Sequence, residues 1–116
     1  MPSLRSDGMN NSILRASGDP MGAAIYDYHK NGKAGKLRVF SSQFDEDEIP
    51  VEDLFRSFED MPELEKVALR AAQGRILDVG AGSGCHALAL TSMGKDVMAI
   101  DISPLSVEVM LERGVH

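Results

Sequence analysis

Five residues, Gly80-Ala81-Gly82-Ser83-Gly84, constrain the fold of this chain more than any others, because they place three glycines between two apolar, β-branched runs. Arg75-Ile76-Leu77-Asp78-Val79 enters the cluster, and a helix-compatible stretch from Cys85 to Met93 leaves it and stops at Gly94. A second apolar run, Asp96 to Asp101, follows. Ser103 then offers an N-cap, Pro104 a first-turn proline and Gly114 a C-terminal stop. The pattern predicts strand 75–79, helix 84–93, strand 96–101 and helix 104–113. Two near-continuous apolar strands joined by a helix make a right-handed βαβ unit with a parallel pair, so the fold class is α/β.

Sheets of this kind take ligands at the carboxyl ends of their strands, where this chain carries its glycines and Asp101. Glycines let the backbone approach a ligand closely and adopt positive φ, and the following helix presents unpaired N–H groups to an anion. About twenty residues beyond Gly80, Asp101 stands where a carboxylate can accept ribose hydroxyls. A nucleoside-containing ligand is favoured. The loop reads G-x-G-x-G, not the G-x-G-x-x-G of a pyrophosphate binder, and either pattern alone is a weak signal.

The remainder of the chain says less. Residues 1–22 mix Ser, Asn, Asp, Gly and Pro with scattered apolar residues and read as a flexible leader. Residues 23–49 hold two aromatic and β-branched runs, Ala24 to Tyr28 and Leu37 to Phe40, which suggest a loose hairpin or two extended loops. Asp45 to Glu48 read as a solvated flank or as a metal site, and no metal is assigned. From Pro50 the spacing of Val51, Leu54, Phe55 and Phe58 predicts a helix over 51–59. Pro62 opens a second over 62–73, with Leu64, Val67, Ala68 and Ala71 as its stripe. Residues 50–116 form one partial domain.

The 116 residues carry a formal charge of -6, which disfavours phosphate backbones and anionic membrane surfaces, so neither a nucleic-acid nor a membrane partner is expected. One cysteine makes no internal disulfide, and no Cys/His spacing suits a structural zinc. No apolar run has the length of a signal peptide or a membrane span, and a cytoplasmic protein is expected. Cys85 opens a helix whose dipole would favour its thiolate, but it reads more simply as a packing residue. His86 reads as a polar residue in an exposed first turn.

Taken whole, the string Ile76 to Gly84 with Ala99-Ile100-Asp101-Ile102-Ser103-Pro104 beyond it closely resembles the first two motifs of class I S-adenosyl-L-methionine (SAM)-dependent methyltransferases. In that family an acidic residue precedes the glycine loop by two positions, as Asp78 does. The resemblance implies a Rossmann-like methyltransferase fold, truncated here to the N-terminal helices plus the first βαβα unit. It implies that Asp78 orients the loop or meets the cofactor's amino group, and that Gly80, Ala81, Gly82, Ser83 and Gly84 form the loop against the methionine portion. Asp101 would take the ribose hydroxyls and Ile102 the adenine ring, with Ser103 nearby. Tyr26 and Tyr28 would belong to a hairpin core or to an aromatic lid. No catalytic base is assigned.

The acceptor leans towards a small molecule. The family's sheet has seven strands and this chain ends after the second helix of the unit. It is therefore expected to be a fragment, inactive alone, that self-associates or recruits its own N-terminal segment along an open strand edge. An NAD-binding oxidoreductase domain and a non-catalytic methyltransferase-like binding module stay open as alternatives.

Overall fold

A computed structural model describes residues 14–43 and 45–115. Helix α1 spans Pro20–Asn31. Asp19 is its N-cap, accepting from the Gly22 N–H at 2.9 Å, Pro20 fills the first turn, and Gly32 closes it in the left-handed conformation with its N–H on the Tyr28 carbonyl. This corrects two expectations. The leader ends before residue 22, since Asp19 is buried and the Leu14 N–H donates to the Ile102 carbonyl at 3.0 Å. Ala24 to Tyr28 are helical, because caps at both ends and burial of Gly22, Ala24 and Ile25 outweigh the strand propensity of Ile25, Tyr26 and Tyr28. Residues 1–13 of the expected leader lie outside the described residues.

Strand β1, Leu37–Val39, pairs antiparallel with β2, Asp47–Ile49. The acidic run lies on and before β2, exposed, with Glu46 reaching Arg38 at 3.4 Å. Residues 51–59 form two 3-10 turns, Val51–Phe55 and Phe58–Asp60, in place of one helix. Arg56 and Ser57 are extended between them, and the break lets two faces be served. Val51 and Phe55 pack towards Ala24 and Leu37, while Phe58 packs with Met61, Cys85 and Ala89. A straight helix would commit all three to one side.

Helix α2, Glu63–Ala71, also departs from its predicted stripe, since Leu64 is 81% exposed and Val67 49%. It turns Glu65 and Leu69 inward. Its C-terminus is capped from afar, the Lys95 ammonium donating to the carbonyls of Leu69, Arg70 and Ala72 at 2.6–2.8 Å. Lys95→Met is expected to lower stability by about 1 kcal/mol in denaturant unfolding through loss of that cap.

The second sheet is β3, Arg75–Val79, paired parallel with β4, Asp96–Ile100, from Arg75 opposite Asp96 to Val79 opposite Ile100. Helices α3, Cys85–Ser92, and α4, Pro104–Glu112, cover one face, where Ala87, Met110 and Val115 pack against Val97 and Ala99. On the other face Leu77, Val79, Met98 and Ile100 are exposed. Among the described residues β3 pairs with β4 alone, and the N-terminal strands pair with each other and not along its edge. That corrects the expected recruitment: β1 and β2 satisfy their own backbone and pack through Leu37 and Ile49 onto α1. Helix α1 docks on α4, fixed by His29 and Lys30 on Glu112 at 2.9 Å.

Candidate functional site

At the carboxyl ends of β3 and β4 the backbone bends through Gly80 and Gly82, with φ of 69° and 59°. These are values that a side chain resists. The Ala81 N–H donates to the Ile100 carbonyl at 3.0 Å, and the Gly82 N–H to Asp101 Oδ2 at 2.8 Å. Asp101 Oδ1 accepts from the Ser103 N–H at 2.9 Å. One carboxylate thereby holds the glycine loop and the turn into α4 together. Each of its oxygens keeps lone-pair capacity for a further donor. A Cβ on Gly80 would meet nothing within 4 Å, so the loop is open at that point.

Asp78 is half-buried beneath the loop, and its Oδ2 is buried with no hydrogen-bond partner among the described residues. Burial pushes its carboxyl above the usual range, His86 opposes this, and Asp101 adds to it. A carboxylate raised by folding costs stability above its folded pKa and none below its unfolded one. Asp78→Asn is therefore expected to raise the melting temperature at neutral pH, with the gain fading as the pH is lowered towards the ordinary carboxylate range. A gain that stays constant with pH would contradict this origin.

Above the loop lies a cavity of about 140 Å³ lined by Met21, Ile25, Leu54, Gly80, Gly82 and His86, among others. Ile25 is the close neighbour, its Cδ1 standing 3.4 Å from where a Gly82 Cβ would be. Tyr26 and Tyr28 are not on this surface. Tyr28 stacks on Phe55 with ring centroids 4.8 Å apart and packs on the Ala24, Leu37 and Val51 cluster, and Tyr26 carries Lys30 over its ring at 5.5 Å. The lid expectation fails on periodicity. In a helix Met21 and Ile25 share one face and Ala24 and Tyr28 another.

Several predicted loop residues are committed to the protein itself. Ser83 is buried and its hydroxyl donates to the Leu54 carbonyl. A Cβ on Gly84 would stand 2.7 Å from Val115 Cγ2 and 2.9 Å from Met110 Cγ, so this glycine brings α3 onto the end of α4. Ser103 is the buried N-cap of α4, accepting from the Ser106 N–H at 3.0 Å and donating to Asp19. Ile102 is 54% exposed beside them. Burial pushes the Cys85 thiol up, which keeps it protonated and suits a packing residue.

A family model described as a methyltransferase domain matches residues 77–116. The chain is 68% identical, with a TM-score of 0.84, to a crystal structure of a SAM-dependent methyltransferase from Bacteroides fragilis in complex with S-adenosyl-L-homocysteine. The chain belongs to the class I SAM-dependent methyltransferase family. The match covers 93% of this chain and 45% of that one, so the chain spans less than half the relative's length. No curated protein matches it.

Within this chain, the residues that hold the loop include several that sequence reasoning missed. Arg113 Nη1 donates to the Ser83 carbonyl at 2.8 Å, with its guanidinium 4.8 Å over the Phe55 ring. Glu65 accepts from Arg56 at 2.9 and 3.2 Å and from His86 Nε2 at 2.9 Å. The His86 hydrogen bond holds the Glu65 carboxyl below its usual range, with burial opposing and Arg56 assisting. At the other end, a Cβ on Gly22 would fall 2.1 Å from Asp19 Oδ2 and 2.2 Å from Ser103 Oγ. Only glycine lets α1 sit this close to the turn behind Asp101. The sequence carried a signal for the start of α1 but none for this junction, since Asp19-Pro20 is the same cap-and-proline pair as Ser103-Pro104.

Proposed function

We propose that the protein is a methyltransferase that uses S-adenosyl-L-methionine to methylate a small molecule, and that this chain supplies the cofactor-binding portion. The observation that carries this reading is Asp101 just past the end of β4, holding the Gly82 N–H while its oxygens keep lone-pair capacity of the kind that ribose hydroxyls use. The fit to the cofactor rests on two further features. The buried, unpartnered Asp78 oxygen suits the amino group, and the open space at Gly80 suits close backbone approach.

In this proposal Gly80, Ala81 and Gly82 line the methionine portion through their backbone, and exposed Ile102 packs on the adenine. Ser83, Gly84 and Ser103 act indirectly, by fixing the loop. Bound there, the cofactor supplies a methyl group already activated on a sulfonium. The chain's residues then orient it and exclude water, which is most of what an in-line displacement needs from the protein. The cavity of about 140 Å³ is smaller than the roughly 300–1,000 Å³ of ordinary ligand sites. Met21 and Ile25 line it beside Gly80 and Gly82, and Asp78, Asp101 and Ile102 lie outside it.

The acidic balance favours a small-molecule acceptor over nucleic acid. No described helix is long and apolar enough to cross a membrane. The open edge of β3 among the described residues and the exposed Leu77, Val79, Met98 and Ile100 favour self-association of the isolated chain. Calorimetric titration of the full natural protein with SAM, S-adenosylhomocysteine and NADH tests the cofactor reading. SAM and its demethylated product are expected to bind and NADH not to. Binding of NADH alone would assign the fold to an oxidoreductase, and binding of none to a non-catalytic module.

A further inference from the structure

Along the outer side of α3, a chamber of about 620 Å³ is bounded by the two 3-10 turns, α2 and the end of α4. Its apolar surface comes from Phe55, Phe58, Leu88 and Met93. Three guanidinium groups, those of Arg56, Arg70 and Arg113, line it against a single lining carboxylate, Glu59. In a chain of formal charge -6 this is a local inversion of sign.

The cations are held at the wall. Arg113 stacks 4.8 Å over Phe55 and Arg70 5.1 Å over Phe58. Among the described residues Arg113 spends Nη1 on Ser83 and Arg56 spends Nη2 on Glu65, so each guanidinium retains donors from its set of five. Arg56 is also short of acceptors, its Nε being buried without a partner among the described residues. An anion nearby would lower the cost of that charge. Glu65 offsets Arg56 and Glu63 reaches Arg70 at 3.6 Å, so Arg113 is the guanidinium of the three with no carboxylate partner among the described residues, which matches a monoanion better than a phosphate.

We propose that this chamber binds a small amphipathic carboxylic acid, with its carboxylate on Arg113 and Arg70 and its apolar body against Phe55, Phe58, Leu88 and Met93. The volume is in the range of ordinary small-molecule sites. The chamber and the glycine-loop cavity share Arg56 and Cys85 as lining residues, and Arg113 joins the chamber to the loop through the Ser83 carbonyl.

The test is calorimetry on the full natural protein with 4-phenylbutyrate, indole-3-acetate and octanoate, each beside its neutral amide and beside inorganic phosphate. At least one carboxylate is expected to bind, with its amide at least tenfold weaker and phosphate not competing. Arg70→Gln, at an exposed side chain remote from the glycine loop, is expected to weaken the acid about tenfold and leave S-adenosylhomocysteine affinity unchanged. Ser92→Phe, which fills the chamber, should abolish binding of the acid. If that variant does not fold, Arg70→Gln and the amide comparison decide the matter. The proposal is overturned if no carboxylate binds, if acid and amide bind equally, if phosphate competes as well as the acids, or if Arg70→Gln has no effect.

Discussion

Asp101→Ala in the full natural protein is expected to weaken S-adenosylhomocysteine binding by roughly 10- to 150-fold, about 1.5–3 kcal/mol, the usual consequence of losing hydrogen bonds to a charged acceptor. Two routes lead to that loss. The carboxylate would take the ribose hydroxyls directly, and it also holds the Gly82 and Ser103 N–H groups that shape the loop. Asp101→Asn weakens both at once. Its amide oxygen keeps one of the two backbone bonds while its NH₂ opposes the other N–H, so part of the melting temperature and part of the affinity are expected to be lost together. Calorimetric titration beside a thermal melt for each variant reads both routes. Unchanged affinity in both variants would remove Asp101 from the cofactor site, leaving it a structural clamp.

A different dissociation is expected within the glycine loop. Gly84→Ala should cost about 2–5 kcal/mol in denaturant unfolding, combining roughly 1–2 for a side chain at positive φ with roughly 1–3 for overpacking. Its backbone φ is 84° and the new Cβ would press on Val115 and Met110. Gly80→Ala shares the positive φ of 69° but meets nothing within 4 Å, so it should cost only about 1–2 kcal/mol. Its larger effect should be on binding, because the new methyl occupies the open side of the loop. Equal stability losses at the two positions would show that α3–α4 packing does not depend on Gly84.

The fold class was legible because the βαβα unit signals itself locally. Apolar runs of strand length, positive-φ glycines, a Ser-Pro helix start and a glycine stop each act over a few residues. The N-terminal half was less legible. Tyr26 and Tyr28 favour strands, and only Asp19-Pro20 and Gly32 mark α1 as a helix. The stripe from Val51 to Phe58 has helical spacing, yet the chain breaks at Arg56 because its apolar residues serve two different partners. Periodicity reports that side chains are to be buried and does not say against what. Leu64 and Val67 on α2 show the same limit, since they carry the stripe and remain exposed.

By itself the sequence determined the shape of the glycine loop and the positions of Asp78 and Asp101 at the strand ends, since backbone sterics and strand length fix those within one short segment. Only the tertiary structure decided how that loop is held and covered. Asp19 meets Ser103 across 84 residues of sequence, Arg113 reaches Ser83 across 30, and Ile25 settles over Gly82. Such contacts depend on how α1 and α4 pack side by side, and packing between distant elements leaves no periodic trace in either one.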